Sequence, residues 1–194
     1  MNDTTEAIAV GRKVGRKVLV ISTSTGCTLA AAVAVDDVMA DGVSGVVMIW
    51  PNFGINDPLA KYLTWPAARY WMPLLAGAQR RFEPLNNGQA KYWTTQYPSV
   101  AVLPMAALVE KVKNANFGTA LTPVLFIFSN EDRVVDANAT RKVIAQWRGP
   151  TQVWQPDLTE ADDPFAHVIA GDIMSPVQTD AVVAEIANWT GTLE

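Results

Sequence analysis

Lys17-Val18-Leu19-Val20-Ile21-Ser22-Thr23-Ser24-Thr25-Gly26-Cys27-Thr28-Leu29-Ala30-Ala31-Ala32-Val33-Ala34 is the stretch that decides the fold. It opens with a short apolar run, Lys17–Ile21, rich in β-branched side chains. The run does not alternate apolar with polar, which predicts a strand buried on both faces, as in a parallel sheet. Ser22 to Gly26 are small residues and predict a tight turn. Cys27 to Met39 is rich in alanine and predicts one long helix.

Working outward, residues 4–13 predict a helix with Thr4 or Thr5 as its cap, Glu6 in the first turn and Gly15 at its end. Arg12, Lys13, Arg16 and Lys17 cluster there, where the helix dipole favours cations. Gly11 and Gly15 beside them lack the spacing of a phosphate loop. Downstream, Gly45–Trp50 predicts a second buried strand, closed by Pro51 and the turn residues Asn52-Phe53-Gly54. Residues 55–108 break the rhythm. They hold six prolines and the tryptophans Trp65, Trp71 and Trp93, too aromatic for a linker, and read as an inserted cap of short helices. Pro123–Phe128 predicts a third buried strand, 137–147 a helix, and Thr151–Gln155 a short fourth strand. A polar loop over 156–166 leads to His167, and 176–190 predicts the closing helix. Strands alternating with helices give an α/β chain with a mostly parallel sheet and flanking helices.

Composition narrows the function classes. The 194 residues fit a single domain over 1–194, and 49% hydrophobic with 18% charged residues can build a sizeable core. A net charge of −4 with no basic face argues against a nucleic-acid binder. Cys27 is the only cysteine, so no intrachain disulfide forms, which fits a reducing compartment. The polar start Met1-Asn2-Asp3-Thr4-Thr5 is not a signal peptide, and no segment is long enough to span a bilayer. The chain as written is expected in the cytoplasm; a missing front end would have carried any targeting signal. One histidine and one cysteine cannot build a zinc cluster, and no GxGxxG fingerprint occurs, so neither metal nor cofactor is expected. The tryptophans of 55–108 fit a ligand-facing wall or ordinary core equally.

Three side chains carry candidate chemistry. Ser24 lies just after a buried strand and just before a helix, in Ser22-Thr23-Ser24-Thr25-Gly26. A sharp strand-to-helix turn would hold its hydroxyl out at the sheet's carboxyl edge, and small residues two before and two after allow that turn. Gly26 meets this requirement; Ser22 stands where glycine is usual. The amide of Thr25, at the helix N-terminus, could donate to an oxyanion. The other reading is that these hydroxyls only cap the helix. His167 is the one histidine, in a loop after the last strand, from where a base could reach back over the sheet edge. Asp132, in Ser129-Asn130-Glu131-Asp132-Arg133, follows the third strand, where a carboxylate can orient an imidazole. Asp136 caps the next helix instead, and Glu131 and Asp157 are weaker rivals.

The order Ser24, Asp132, His167 resembles that of the α/β-hydrolases. Lys17–Ala34 resembles that superfamily's strand, elbow and helix, Thr122–Asp136 its acid-bearing strand and loop, and Ala166–Asp172 its histidine loop. The resemblance runs from residue 4 to 190, is to the esterase/lipase-like branch, and implies a cap over about 55–108. A serine nucleophile separates it from the dehalogenase branch. It implies a serine hydrolase cleaving carboxylic esters through an acyl-enzyme, with a small-molecule acyl ester as substrate. It also implies a shortfall: only 16 residues precede Lys17, so the family's first strands and second oxyanion loop have no counterpart. Lys17–Ile21 would then be an exposed apolar edge, covered by an N-terminal fragment or by a second copy in a homodimer. The alternative is a truncated, catalytically weak or inactive remnant, or the C-terminal part of a split hydrolase needing an N-terminal partner.

Overall fold

The computed structural model describes residues 1–193. In chain order the elements are α1 (Asn2–Val14), β1 (Val18–Thr23), α2 (Thr25–Ala34), α3 (Asp37–Ala40), β2 (Val43–Ile49), α4 (Ala68–Ala76), β3 (Gln79–Arg81), α5 (Asn87–Tyr92), β4 (Gln96–Pro98), α6 (Leu103–Val112), β5 (Val124–Ile127), α7 (Ala137–Gln146), β6 (Thr151–Trp154) and α8 (Thr179–Thr190). The main sheet has the order β1-β2-β5-β6, and every pairing in it is parallel. The short β3 and β4 pair antiparallel, apart from it.

Alternate residues of the two central strands feed two cores, because successive side chains on a strand point to opposite faces. Val46, Met48, Val124 and Phe126 join Cys27, Ala31 and Val33 of α2, Val112 of α6 and Val143 of α7 on one face. Val47, Ile49, Leu125 and Ile127 join Val182 and Trp189 of α8 on the other. Gly45 is what lets α8 lie so close to β2: a Cβ there would meet Trp189 Cη2 at 2.8 Å and Leu193 Cδ1 at 2.7 Å.

The structure departs from the sequence reading in four places. The single helix expected over Cys27–Met39 is two, because Asp36 breaks it; its side chain accepts from the amides of Val38 and Met39 and caps α3. α1 starts at Asn2 with Met1 as N-cap, not at Thr4 or Thr5. The closing helix begins with a 3-10 turn over Pro176–Gln178, and α8 proper starts at Thr179. β1 is the edge strand the sequence leads one to expect, but it is not buried on both faces, with Ile21 56% exposed. The clustered cations are partly explained, since Arg12 donates to the carbonyls of Val38, Met39 and Asp41 and so ties α1 to α3.

Between β2 and β5, residues 55–108 hold a 3-10 helix over Pro58–Thr64, α4, α5, the β3–β4 ribbon and the start of α6. Its tryptophans are not core: Trp65 and Trp93 are exposed, and Trp71 is half-buried with its indole donating to Pro66 O. Among the described residues, no helix is long and apolar enough to cross a membrane.

Cys27 lies fully buried in the first turn of α2, its thiol 3.4 Å from the carbonyl of Ile49. Burial pushes that thiol up to about 12, against smaller opposing contributions from Ser22 and Ile49. The thiolate is the reactive form, so the folded chain should resist iodoacetamide near neutral pH and take up one label in guanidinium chloride. Labelling of the folded chain at the denatured rate would contradict this packing.

Candidate active site

The turn after β1 is held in a conformation that side-chain-bearing residues avoid. Ser24 has φ 48° and ψ −119°, and such outliers persist only when the surroundings over-determine them. Here the loop after β2 does so. The Ser24 amide donates to Ile49 O at 3.0 Å, and the Ser24 carbonyl accepts from Cys27 N at 3.0 Å and Asn52 N at 3.1 Å. The Thr28 hydroxyl adds a bond of 2.5 Å to Asn52 O. Ser22 is buried, and its hydroxyl donates to Val47 O at 2.9 Å. A Cβ on Gly26 would lie 3.8 Å from Ser22 Cβ, an ordinary contact, so a serine at position 22 crowds the turn little. Thr25 opens α2, so its amide has no helical acceptor.

Ser24, His167 and Asp132 meet at the carboxyl edge of the sheet. Ser24 Oγ lies 3.3 Å from His167 Nε2. His167 Nδ1 lies 2.8 Å from Asp132 Oδ2, and since a carboxylate only accepts, Nδ1 carries the proton. The side chains of His167 and Asp132 are 12% and 2% exposed, which keeps water from competing for that bond. Asp132 Oδ1 is taken by the amides of Val134 at 2.8 Å and Val135 at 2.9 Å. Both oxygens are therefore committed, and the carboxylate cannot rotate away. Glu131 and Asp157 are exposed, and neither bonds to His167. Asp136 caps α7.

Three residues that the sequence did not single out shape this edge. Asp163 is buried and organises the histidine loop. Its Oδ2 accepts from the amides of His167 at 3.2 Å and Val168 at 2.8 Å, and its Oδ1 from Phe165 N at 3.1 Å. Nothing in the acidic run Asp157, Glu160, Asp162, Asp163 distinguishes it by spacing. Trp50 walls the imidazole, with ring centroids 6.3 Å apart and planes at 60°. It sits at φ 42°, and Ala166, just before His167, at φ 51°. With Ser24, these are three of the four non-glycine residues of positive φ in the described chain, and strain of this kind gathers at functional sites. Asn52, also buried, completes the group; its Nδ2 reaches Thr25 Oγ1 at 3.3 Å and Met105 Sδ of α6 at 3.5 Å.

An open groove of about 630 Å³ is a separate feature. It is lined by Leu63, Trp65, Tyr70, Leu103 and Ala107 among others. Leu103 and Ala107 stand roughly opposite Met105 on a helix of about 3.6 residues per turn, so the groove lies across α6 from Asn52. Among the described residues, no three His, Cys, Asp or Glu side chains converge as a metal site would require.

No protein-family model matches the chain, and no curated protein matches it. Solved structures do match. A metagenome-derived lipolytic enzyme aligns with TM-score 0.68 at 13% identity, over 96% of this chain and 71% of its own. The monoacylglycerol lipase of Paleococcus ferrophilus gives 0.63 at 12%, over 96% and 74%. A thermostable carboxyl esterase from Bacillus coagulans gives 0.62 at 13%, over 97% and 71%. At such identities the likeness is one of fold: the chain has the α/β-hydrolase fold, with a parallel sheet between helices.

Removing the Asp163 carboxylate strands three amides of a partly buried loop, so Asp163→Ala should cost about 1–3 kcal/mol. Amide hydrogen exchange over 165–168 should accelerate while the central strands keep their protection. Uniform acceleration across the chain would refute a role local to this loop.

Proposed function

We propose that the chain is a serine hydrolase of the esterase and lipase kind, cleaving carboxylic esters. One observation carries the reading: a serine, an imidazole and a carboxylate from three separate loops form one hydrogen-bonded row. The strained Ser24 backbone, the turn it makes into α2 and the fold's likeness to lipolytic enzymes support it. Ser24 acts as the nucleophile of an elbow, His167 as the base and Asp132 as the orienting acid.

The chemistry follows from the geometry. Ser24 Oγ attacks the ester carbonyl carbon as His167 Nε2 takes the hydroxyl proton. The imidazolium so formed is stabilised by Asp132, which keeps its own charge. The carbonyl oxygen becomes an oxyanion and accepts from the free Thr25 amide at the head of α2. Collapse breaks the bond to the alkoxy oxygen, which leaves with the proton from Nε2, and Ser24 carries the acyl group. Water then attacks the acyl-enzyme with His167 again as base, releasing the acid and restoring Ser24. The gap of 3.3 Å between Oγ and Nε2 is long for this transfer, and such bonds commonly tighten in the substrate complex.

In this reading residues 1–194 form one domain, and 55–108 are its cap. The exposed aromatic and leucine side chains there, among them Trp65, Tyr70 and Leu74, suit an acyl or aromatic ester. A second reading has its own observation. β1 is an edge strand with Ile21 exposed, and such edges recruit strands. It makes the working form a homodimer, or a complex with an N-terminal fragment, paired along Lys17–Ile21. Sedimentation showing only monomer at high concentration, together with full esterase activity, would sink it.

A fluorophosphonate probe should label the wild-type chain, and Ser24→Ala should abolish both labelling and hydrolysis of p-nitrophenyl esters. Asp132→Asn should lower kcat by about 10⁴. Equal labelling of wild type and Ser24→Ala would overturn the assignment.

A further inference from the structure

We infer that Asn52 is a positioning residue for the oxyanion amide: it clamps Thr25 so that the amide faces the developing charge. The inference rests on the reading of Ser24 as nucleophile and of the Thr25 amide as oxyanion donor.

Asn52 is bonded to three residues in and beside the elbow. Its amide holds the Ser24 carbonyl at 3.1 Å, its carbonyl accepts the Thr28 hydroxyl at 2.5 Å, and its side-chain Nδ2 holds Thr25 Oγ1 at 3.3 Å. The first two bonds involve only its backbone and would survive any side chain. The third belongs to the carboxamide alone, and it reaches Thr25, whose amide at the head of α2 has no helical acceptor.

The position is a poor one for an amide on stability grounds. Asn52 is only 4% exposed, and its Oδ1 is buried without a hydrogen-bond partner. A buried acceptor left unpaired costs free energy, and an apolar group of the same shape is often neutral or better there. Met105 Sδ lies beside Nδ2, so the surroundings would receive a leucine readily. A carboxamide kept where a hydrocarbon would do suggests a task other than packing. That task is to fix the Thr25 side chain. Fixing it sets the orientation of the Thr25 peptide, and a donor aimed before substrate arrives is worth most to an oxyanion.

The test compares Asn52→Leu, Thr25→Val and the double variant with wild type on p-nitrophenyl esters. Thr25→Val keeps the amide and the branched shape but removes the hydroxyl that Asn52 holds. Each single variant should lower kcat about tenfold at unchanged KM, less than the 10²–10³ of losing a donor outright. The double variant should lose no more than either alone, since both break one contact. The Tm of Asn52→Leu should stay level or rise. Wild-type kcat in Asn52→Leu, losses that multiply in the double variant, or a kcat loss that tracks a falling Tm would each overturn the inference. Ser24→Ala separates the two readings: if it is inactive while Asn52→Leu retains wild-type kcat, only the inference about Asn52 fails. If Ser24→Ala hydrolyses as fast as wild type, the nucleophile assignment fails first. Amide hydrogen exchange at Thr25–Cys27 provides an arm that needs no turnover. Faster exchange in Asn52→Leu supports the clamp, and unchanged exchange overturns it.

Discussion

The site depends on holding one residue where its backbone resists going. At φ 48° and ψ −119°, Ser24 is outside every comfortable region for a residue with a Cβ. The loop after β2 grips it from both sides, through Ile49 O and Asn52 N. That loop is anchored in turn: the Trp50 amide donates to Ile127 O at the end of β5. The strain at the serine is thus borne by the two central strands, whose residues are the most deeply buried in the molecule. A closely packed core resists deformation, so the hydroxyl is kept presented without any ligand to hold it. The same logic extends to Trp50, whose ring lies beside the imidazole, and to Ala166, just before His167, which carry their own positive φ.

Much of this arrangement was legible in the sequence, for identifiable reasons. The run Val18–Ile21 followed by small residues marks a strand ending in a sharp turn, and the parallel pairing of the main sheet follows from alternating strands and helices. His167 could be named because the chain has no other histidine, and Asp132 because it lies in the loop after a strand, where a carboxylate can orient an imidazole. The distances that bring Ser24, Asp132 and His167 together are a finding of the structure; the roles given to them remain a proposal. What could not be read has physical causes too. Asp163 organises the histidine loop through backbone amides, and amide capture leaves no periodicity to detect. Trp50 reads as the last residue of a strand, whereas it turns out of the strand with a positive φ. Asp36 splits a helix that alanine propensity alone would continue, a local side-chain bond overriding a weak preference.

The two faces of the sheet are used differently. On one, α2 carries the serine's helix and packs its alanines so tightly that Cys27 and Ala31 lose all contact with solvent. On the other, α8 lies directly over β2 through Gly45. The loop that carries His167 runs from β6 to the 3-10 turn before α8 with no helix or strand around the imidazole, and relies on Asp163, Ser175 and Asp162 for its shape. The Ser24 side of the site is therefore built on regular structure and the His167 side on side-chain hydrogen bonds. Of the two, the His167 side is the softer, since loops open locally at lower cost than packed strands.

The hydrogen bond between Ser24 and His167 joins residues 143 apart in the chain. On a ribosome adding about 5–20 residues each second, the serine would emerge roughly 7–30 seconds before the imidazole exists. A nascent chain would carry its hydroxyl through that interval with no imidazole beside it. The contact would form only after residue 167 had emerged, once β5 and β6 had brought these two distant segments to the same rim.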